Sequence, residues 1–370
     1  MNALRCRVSI PRYLLAKVLG KRYPIPLLPL SLVDISEPSP LPGWRRVKVR
    51  LCGICGSDIA LLYGKNSPRL SPFFSFPAVL GHEILGEVDG KRVVVNPNLA
   101  CRERGLERCD ACARGDEGIC QNTAEGAFAP GMLGFCRDLV GGWGEWIWAH
   151  PDKVHPVPER VPDERAVLTE PLAVALRGLR NFDLSNDGKT LVIGAGTIGL
   201  ITIRLLRILG YKAEIHVAAR YPLQAELAIE LGADRVYSDV WDATRLVGAK
   251  SYKAIIGPPA WRGGFDVVVD AAGSKTSLQQ ASWAAREGGK LLLLGSPGEM
   301  KHDFSPHWFR EVKLLGSYIY SDEDFQKAVA LLPKAKGIER LVTHIFSLKA
   351  WTNAIRTVIH RRGIKVVFRP

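Results

Sequence analysis

Four cysteines, Cys101, Cys109, Cys112 and Cys120, fall within one short stretch that also holds Gly105, Gly115 and Gly118. Four thiolates complete a tetrahedral shell around zinc and leave no open position, which is the chemistry of a structural metal site. A second set is dispersed: Cys55 in Cys52-Gly53-Ile54-Cys55-Gly56-Ser57-Asp58, His82 followed by Glu83, and Glu170 in Thr169-Glu170-Pro171-Leu172. A sulfur, a nitrogen and an oxygen donor are what a zinc with one free coordination place needs to act on a substrate. Taken singly each has an ordinary explanation, a core thiol, a satisfied histidine, a Glu-Pro opening a helix. Spacing alone does not bring them together.

The third chemical signal is Gly194-Ala195-Gly196-Thr197-Ile198-Gly199. Here an apolar strand expected over Thr190–Ile193 runs into a helical stretch that continues to Gly210. In that setting the glycines permit a tight turn, close approach of a pyrophosphate, and packing of the helix on the strand, with helix N–H groups facing the anion. About 20 residues on, where such turns often carry an acid for the ribose 2′-hydroxyl, the sequence has Ala219 and Arg220. A guanidinium suits a 2′-phosphate, so the reading leans to NADP over NAD, with Arg220 as an ordinary surface residue the alternative.

These groups must be positioned by something. At 370 residues the chain is long enough for two domains. With 47% hydrophobic and 24% charged residues it has a globular composition. Up to about residue 165, short segments such as Arg46–Leu51 and Lys91–Asn96 alternate with Gly- and Pro-rich turns, which predicts a mostly-β half with sparse helix. From Lys189 onward strands and helices alternate: strands at Glu214–Val217, Arg235–Tyr237, Phe265–Asp270 and Lys290–Leu294, helices near Leu223–Leu231 and Ser277–Arg286. That pattern predicts an α/β fold, a doubly wound parallel sheet. A helix over Asp322–Leu332 and the apolar run Ile364–Phe368 then close back on the first half. The boundaries expected are 1–170 with 318–370 returning to it, and 171–317 for the dinucleotide-binding part.

The formal charge of +13 admits an acidic partner. The basic residues are spread out and follow no RNA-binding or finger pattern, so no nucleic acid is expected. No run approaches the ~20 apolar residues of a bilayer span. Basic residues stand near the N-terminus, but the run Ile25–Val33 is broken by Pro26 and Pro29, unlike a secretory signal. A cytoplasmic protein with no membrane partner is expected, and in that reducing setting clustered cysteines read as metal ligands.

Together these motifs resemble the zinc-dependent medium-chain dehydrogenase/reductase superfamily, nearly end to end and in order. The resemblance implies a GroES-like, mostly-β catalytic domain interrupted by a Rossmann domain, with an active site in the cleft between them. It implies one catalytic and one structural Zn2+, and a small alcohol or carbonyl substrate. The partner chain it implies is a copy of itself, as a homodimer or homotetramer. It makes Cys55, His82 and Glu170 the catalytic zinc ligands, with Glu83 able to exchange onto the metal. Ser57 becomes the hydroxyl that passes on the substrate proton, Asp58 the carboxylate that orients His82, and Lys365 a cation facing the cofactor pyrophosphate.

Three departures stand out. Ala60 replaces a common relay histidine. Glu170 in place of a cysteine points to the polyol, sugar and threonine dehydrogenase branch. Seven residues separate Cys101 from Cys109 where the family usually has two, so Cys101 needs a looped-out insertion to reach the metal. Cys136 has no assigned role. The expected reaction is hydride transfer between a secondary alcohol, polyol, sugar or amino-alcohol and NAD(P). The alternatives are an aldehyde or ketone reductase of the same family, or a non-catalytic dinucleotide-binding protein.

Overall fold

Along Arg45–Gly53, Val47, Val49 and Leu51 are buried while Arg46, Lys48 and Arg50 are exposed, the period-2 alternation of a half-buried strand. At its end the alternation stops and Cys52 and Gly53 are both buried. In the computed structural model, which describes residues 1–180, 182 and 188–370, this strand is the hub of a seven-stranded sheet. It pairs antiparallel with Ile84–Val88, with Trp146–Ala149 and with Lys365–Arg369. Lys91–Val95 and Val154–Pro156 extend one side and Val342–Ser347 the other. A smaller sheet has the order Leu30–Asp34, Asn2–Cys6, Ala78–Val79. Both sheets lie in a unit made of Met1–Ala173 and Tyr320–Pro370, around a core that includes Leu4, Val47, Leu62, Trp143, Ile355 and Phe368.

The second unit, Val174–Ile319, holds a six-stranded parallel sheet. Its strand order is Arg235–Tyr237, Glu214–Ala218, Lys189–Ile193, Phe265–Asp270, Ala285–Leu293, Lys313–Gly316. In sequence order within the unit this is 3-2-1-4-5-6, the doubly wound order whose direction reverses beside the first strand. Leu191, Ile193, Val268 and Leu291 are buried in its core, as strands covered on both faces require. The fold class is the α/β arrangement read from the sequence, a mostly-β unit and a unit built on a doubly wound parallel sheet.

Two local departures have physical causes. The helix expected over Ser277–Arg286 runs Lys275–Ala284, started by a Ser274/Ser277 capping box. Its last expected residue, Arg286, lies in the following strand, where its guanidinium pairs with Asp266 at 2.6 Å. In the β-rich half a helix not foreseen spans Ile10–Leu19, opened by Pro11 and closed by Gly20 at φ 52°. Among the described residues no helix is long and apolar enough to cross a membrane.

Candidate metal centre and nucleotide turn

Strand register brings the first site together. Cys52 lies opposite both Ile84 and Phe368, and Gly53 opposite Val367. The turn leaving Gly53, the His82-Glu83 segment entering Ile84, and Lys365 three residues before Phe368 therefore share one end of the sheet. Cys55 is the N-cap residue of helix Gly56–Leu62, and its backbone N–H donates to Asp58 Oδ2 at 2.8 Å. Cys55, His82 and Glu83 each offer a ligand atom within 4.8 Å of the others.

His82 and Asp58 are buried, and His82 Nδ1 stands 3.5 Å from Asp58 Oδ1, neither atom having a hydrogen bond. Burial disfavours the imidazolium, but the Asp58 and Cys55 charges outweigh it and hold His82 well above its ordinary value. A carboxylate facing Nδ1 leaves Nε2 free for a metal. Phe135 packs on the imidazole with ring centroids 5.2 Å apart. Ser57 sits half-buried on the same helical turn as Asp58.

Glu170 lies in the first turn of helix Thr169–Arg180 and is buried. It is not among the three residues whose donors meet within 4.8 Å. It is near enough to His82 and Glu83 to interact with their charges, and burial pushes its carboxyl up to about 7. A residue that the sequence did not flag stands beside it: Tyr320, 1% exposed, whose titration burial and the neighbouring Glu170 push well above the usual value. Ala60 lies half-buried beyond Asp58 on its helix.

Lys365 requires a correction. Its Nζ donates to Glu83 Oε1 at 2.6 Å, Glu83 Oε2 at 2.7 Å and the Ile54 carbonyl at 3.2 Å, and the side chain is 4% exposed. An ammonium has three N–H donors; all are used inside the first unit, so none is left for a pyrophosphate. Gly53 is part of the same device. A Cβ there would lie 1.7 Å from Glu83 Oε2, so only glycine lets the carboxylate reach the lysine. Lone residues in a sequence carry no signal of such a pairing.

The four-cysteine loop closes as a separate cluster, with all four donors within 4.8 Å of one another. Cys101 reaches it because the intervening residues turn out of the way, the Leu106 N–H donating to the Cys101 carbonyl at 2.8 Å and the Ala100 N–H to Glu103 Oε2 at 2.8 Å. Backbone donors aim at sulfur: Cys109 N–H to Cys101 at 3.3 Å, Gln121 N–H to Cys109 and Asn122 N–H to Cys120, both at 3.4 Å. Burial opposes a thiolate at Cys109, yet the Cys112 and Gln121 N–H groups and the Cys112 and Cys101 thiols bring it down to about 6, while burial pushes Cys112 and Cys120 up. All eight cysteines are free. Cys136 is buried and donates to the Ala129 carbonyl, a core role.

In the second unit, the glycines differ in what they permit. Gly194 takes φ +97°, and a Cβ on Gly199 would meet the Gly194 carbonyl at 1.9 Å, whereas one on Gly196 would meet nothing within 4 Å. Gly196 caps helix Thr197–Ile208, so its Cα faces the open space that an anion at that helix N-terminus needs. Ala195 is buried and Ile198 half-buried. Ala219 is buried at the end of the adjoining strand; Arg220 is exposed and makes no ion pair among the described residues.

Residues 41–159 match the profile of the alcohol dehydrogenase GroES-like domain, and residues 197–334 that of zinc-binding dehydrogenases. The chain is similar to the starvation-sensing protein RspB of Escherichia coli, at 29% identity over 88% of this chain and 91% of the relative. It is also similar to D-arabinitol dehydrogenase 1 of Uromyces fabae, at 27% over 88% and 89%. Among solved structures, a zinc-binding dehydrogenase of Sinorhizobium meliloti bound to NADP superposes with a TM-score of 0.75 at 26% identity, covering 100% of this chain and 99% of that one. An Escherichia coli alcohol dehydrogenase complexed with NADH gives 0.74 at 25%, covering 92% and 96%.

Proposed function

Since this chain belongs to the zinc-dependent medium-chain dehydrogenase/reductase superfamily, we propose that it transfers a hydride between a secondary alcohol or polyol and a nicotinamide dinucleotide, with Cys55, His82 and Glu170 or Glu83 holding the catalytic zinc. The observation that carries the reading is the meeting of Cys55, His82 and Glu83 donors within 4.8 Å, drawn from separate strand ends. A thiolate, an imidazole and a carboxylate fit zinc that keeps an open place. The donors of Cys101, Cys109, Cys112 and Cys120 fit a second, closed zinc site. When bound, the catalytic ion supplies Lewis acidity that lowers the pKa of a substrate hydroxyl.

The chain's own residues do the rest. Asp58 holds the His82 ring from its Nδ1 side, fixing the tautomer that keeps Nε2 as a lone-pair donor. Ser57 takes the hydroxyl proton and passes it outward; with Ala60 behind it, water is the next acceptor. Lys365 holds the Glu83 carboxylate in a buried ion pair, while Glu170, carried on another helix, is the freer of the two carboxylates. The second unit orients the dinucleotide, whose nicotinamide accepts the hydride as the carbonyl forms. Arg220, with no acid beside it, supports a preference for NADP over NAD.

The relatives named above include D-arabinitol dehydrogenase 1, which supports a polyol substrate. The eight free thiols fit a reducing compartment such as the cytoplasm, and the family likeness supports a homodimer or homotetramer. The test is a screen of polyols, sugars, amino-alcohols and simple secondary alcohols with NAD and NADP, followed by absorbance of the reduced nicotinamide, on the parent and on Cys55→Ala. The parent should turn over with its zinc present, and Cys55→Ala should lose turnover while keeping its circular dichroism. Full activity of Cys55→Ala after exhaustive chelation would overturn the catalytic-metal reading.

A further inference from the structure

Strands Asn2–Cys6 and Leu30–Asp34 pair directly, Cys6 opposite Leu30, yet residues 7–29 leave the sheet between them. Helix Ile10–Leu19 occupies this excursion. It is rooted on one side only. Ala16 is fully buried, the Tyr13 hydroxyl donates to the Asn66 carbonyl at 2.8 Å, and Tyr23, Ile25 and Leu28 farther on enter the core.

At 3.6 residues per turn, Ile10, Leu14 and Val18 form a row facing away from Tyr13 and Ala16, with Leu15 and Leu19 beside it. Their exposures are 73%, 55%, 82%, 53% and 40% in that order. A helix folded only for packing within its own chain turns such a stripe toward the core; this one turns it outward. Arg12 and Lys17 flank the row on opposite sides, where their apolar stems can lie along it and their charges stand clear. Arg5, Arg7, Lys21 and Arg22 surround the helix in sequence, the first acidic residue of the chain is Asp34, and none of these six cations makes an ion pair among the described residues.

We propose that helix Ile10–Leu19 docks the protein on an anionic lipid surface, its outward apolar row entering the headgroup boundary and its flanking cations meeting lipid phosphates. With ten residues it lies on a bilayer and does not cross it. This is a different demand from that of a spanning helix, of which the described residues have none. Charge selects this occupant over a second copy of the chain, since two such faces would bring like cations together.

The experiment is cosedimentation of the full chain with vesicles of phosphatidylcholine alone or mixed with phosphatidylglycerol. The expected result is at least tenfold tighter binding to the anionic vesicles, weakening as salt is raised. Leu14→Asp with Val18→Asp should abolish binding, and Lys17→Glu with Lys21→Glu and Arg22→Glu should weaken it at least tenfold, with Tm unchanged in both. Three outcomes overturn the proposal: no binding to anionic vesicles by the parent, equal binding by both variants, or a parent dimer in sedimentation equilibrium that Leu14→Asp with Val18→Asp dissociates, which would assign the face to a second copy.

Discussion

The most consequential single contact is the one between Lys365 and Glu83. Both side chains are buried, and burial opposes the lysine's charge, but the facing carboxylate outweighs that and holds the ammonium above its ordinary value. Removing one partner of a buried pair strands the other as an uncompensated charge, at about 3–5 kcal/mol. Lys365→Met should therefore lower stability by that order, read from urea unfolding, and leave the KM for the dinucleotide within about twofold. The double variant Lys365→Met with Glu83→Gln should recover most of the stability, because neither partner is then left as an uncompensated charge. A large rise in dinucleotide KM with unchanged stability would return Lys365 to the pyrophosphate role that the sequence suggested.

At the scale of elements, two turns carry contrasted demands. In the glycine turn, a methyl on Gly199 would meet backbone at 1.9 Å, while one on Gly196 would meet nothing within 4 Å. Gly199→Ala should destabilise the second unit by about 1–3 kcal/mol, as overpacking against an atom that cannot yield does. Gly196→Ala should leave the melting curve in place and raise the dinucleotide KM, because only the incoming pyrophosphate occupies that space. The four-cysteine loop makes the opposite point. Its sulfurs are held by backbone N–H groups and by one another, and a metal in the proposed closed site would stabilise the fold and not the reaction. Cys109→Ser should lower the zinc content by one ion per chain. A loss of about 3 kcal/mol would move Tm by roughly 6–12 °C in a unit of this size. Turnover lost without any change in Tm would reverse the assignment.

For the molecule as a whole, charge sets the acid limit. The chain carries +13 at neutral pH, so each carboxylate protonated adds to a positive excess that repels itself. Asp163 is one such group: burial opposes its charge, but bonds from Arg92 at 2.8 Å and Arg50 at 2.8 Å hold its carboxyl below the ordinary value. A depressed folded-state pKa gives stability that is whole above the unfolded value, near about 3.9, and disappears as pH falls through the folded one. Asp163→Asn should thus be less stable than the parent at neutral pH, and the difference should shrink as pH is lowered toward 3, by urea titration at each pH. A constant difference across that range would deny the ion pairs their role. What the sequence by itself determined is what lies close along the chain. The strand-glycine-helix turn from Thr190 through Gly199 and the Cys55-to-Asp58 turn each fix their geometry through a few adjacent dihedrals, and the Cys109-Cys112-Cys120 spacing lies within one short stretch, so all three were legible in the sequence. The alternation of strands and helices after Lys189 likewise fixed the parallel sheet, since each crossover is local and of one hand. The tertiary structure alone decided what depends on register between distant strands. Cys52 lies opposite Ile84 and Phe368, and that pairing joins His82 to Cys55 and spends Lys365 on Glu83. The place of Tyr320 beside Glu170 and the outward turn of Ile10, Leu14 and Val18 were settled the same way. Which face of a helix is covered, and which two buried charges meet, depends on neighbours distant in sequence, 53 residues away for Tyr13 and Asn66 and 282 for Lys365 and Glu83, and no spacing within a segment encodes it.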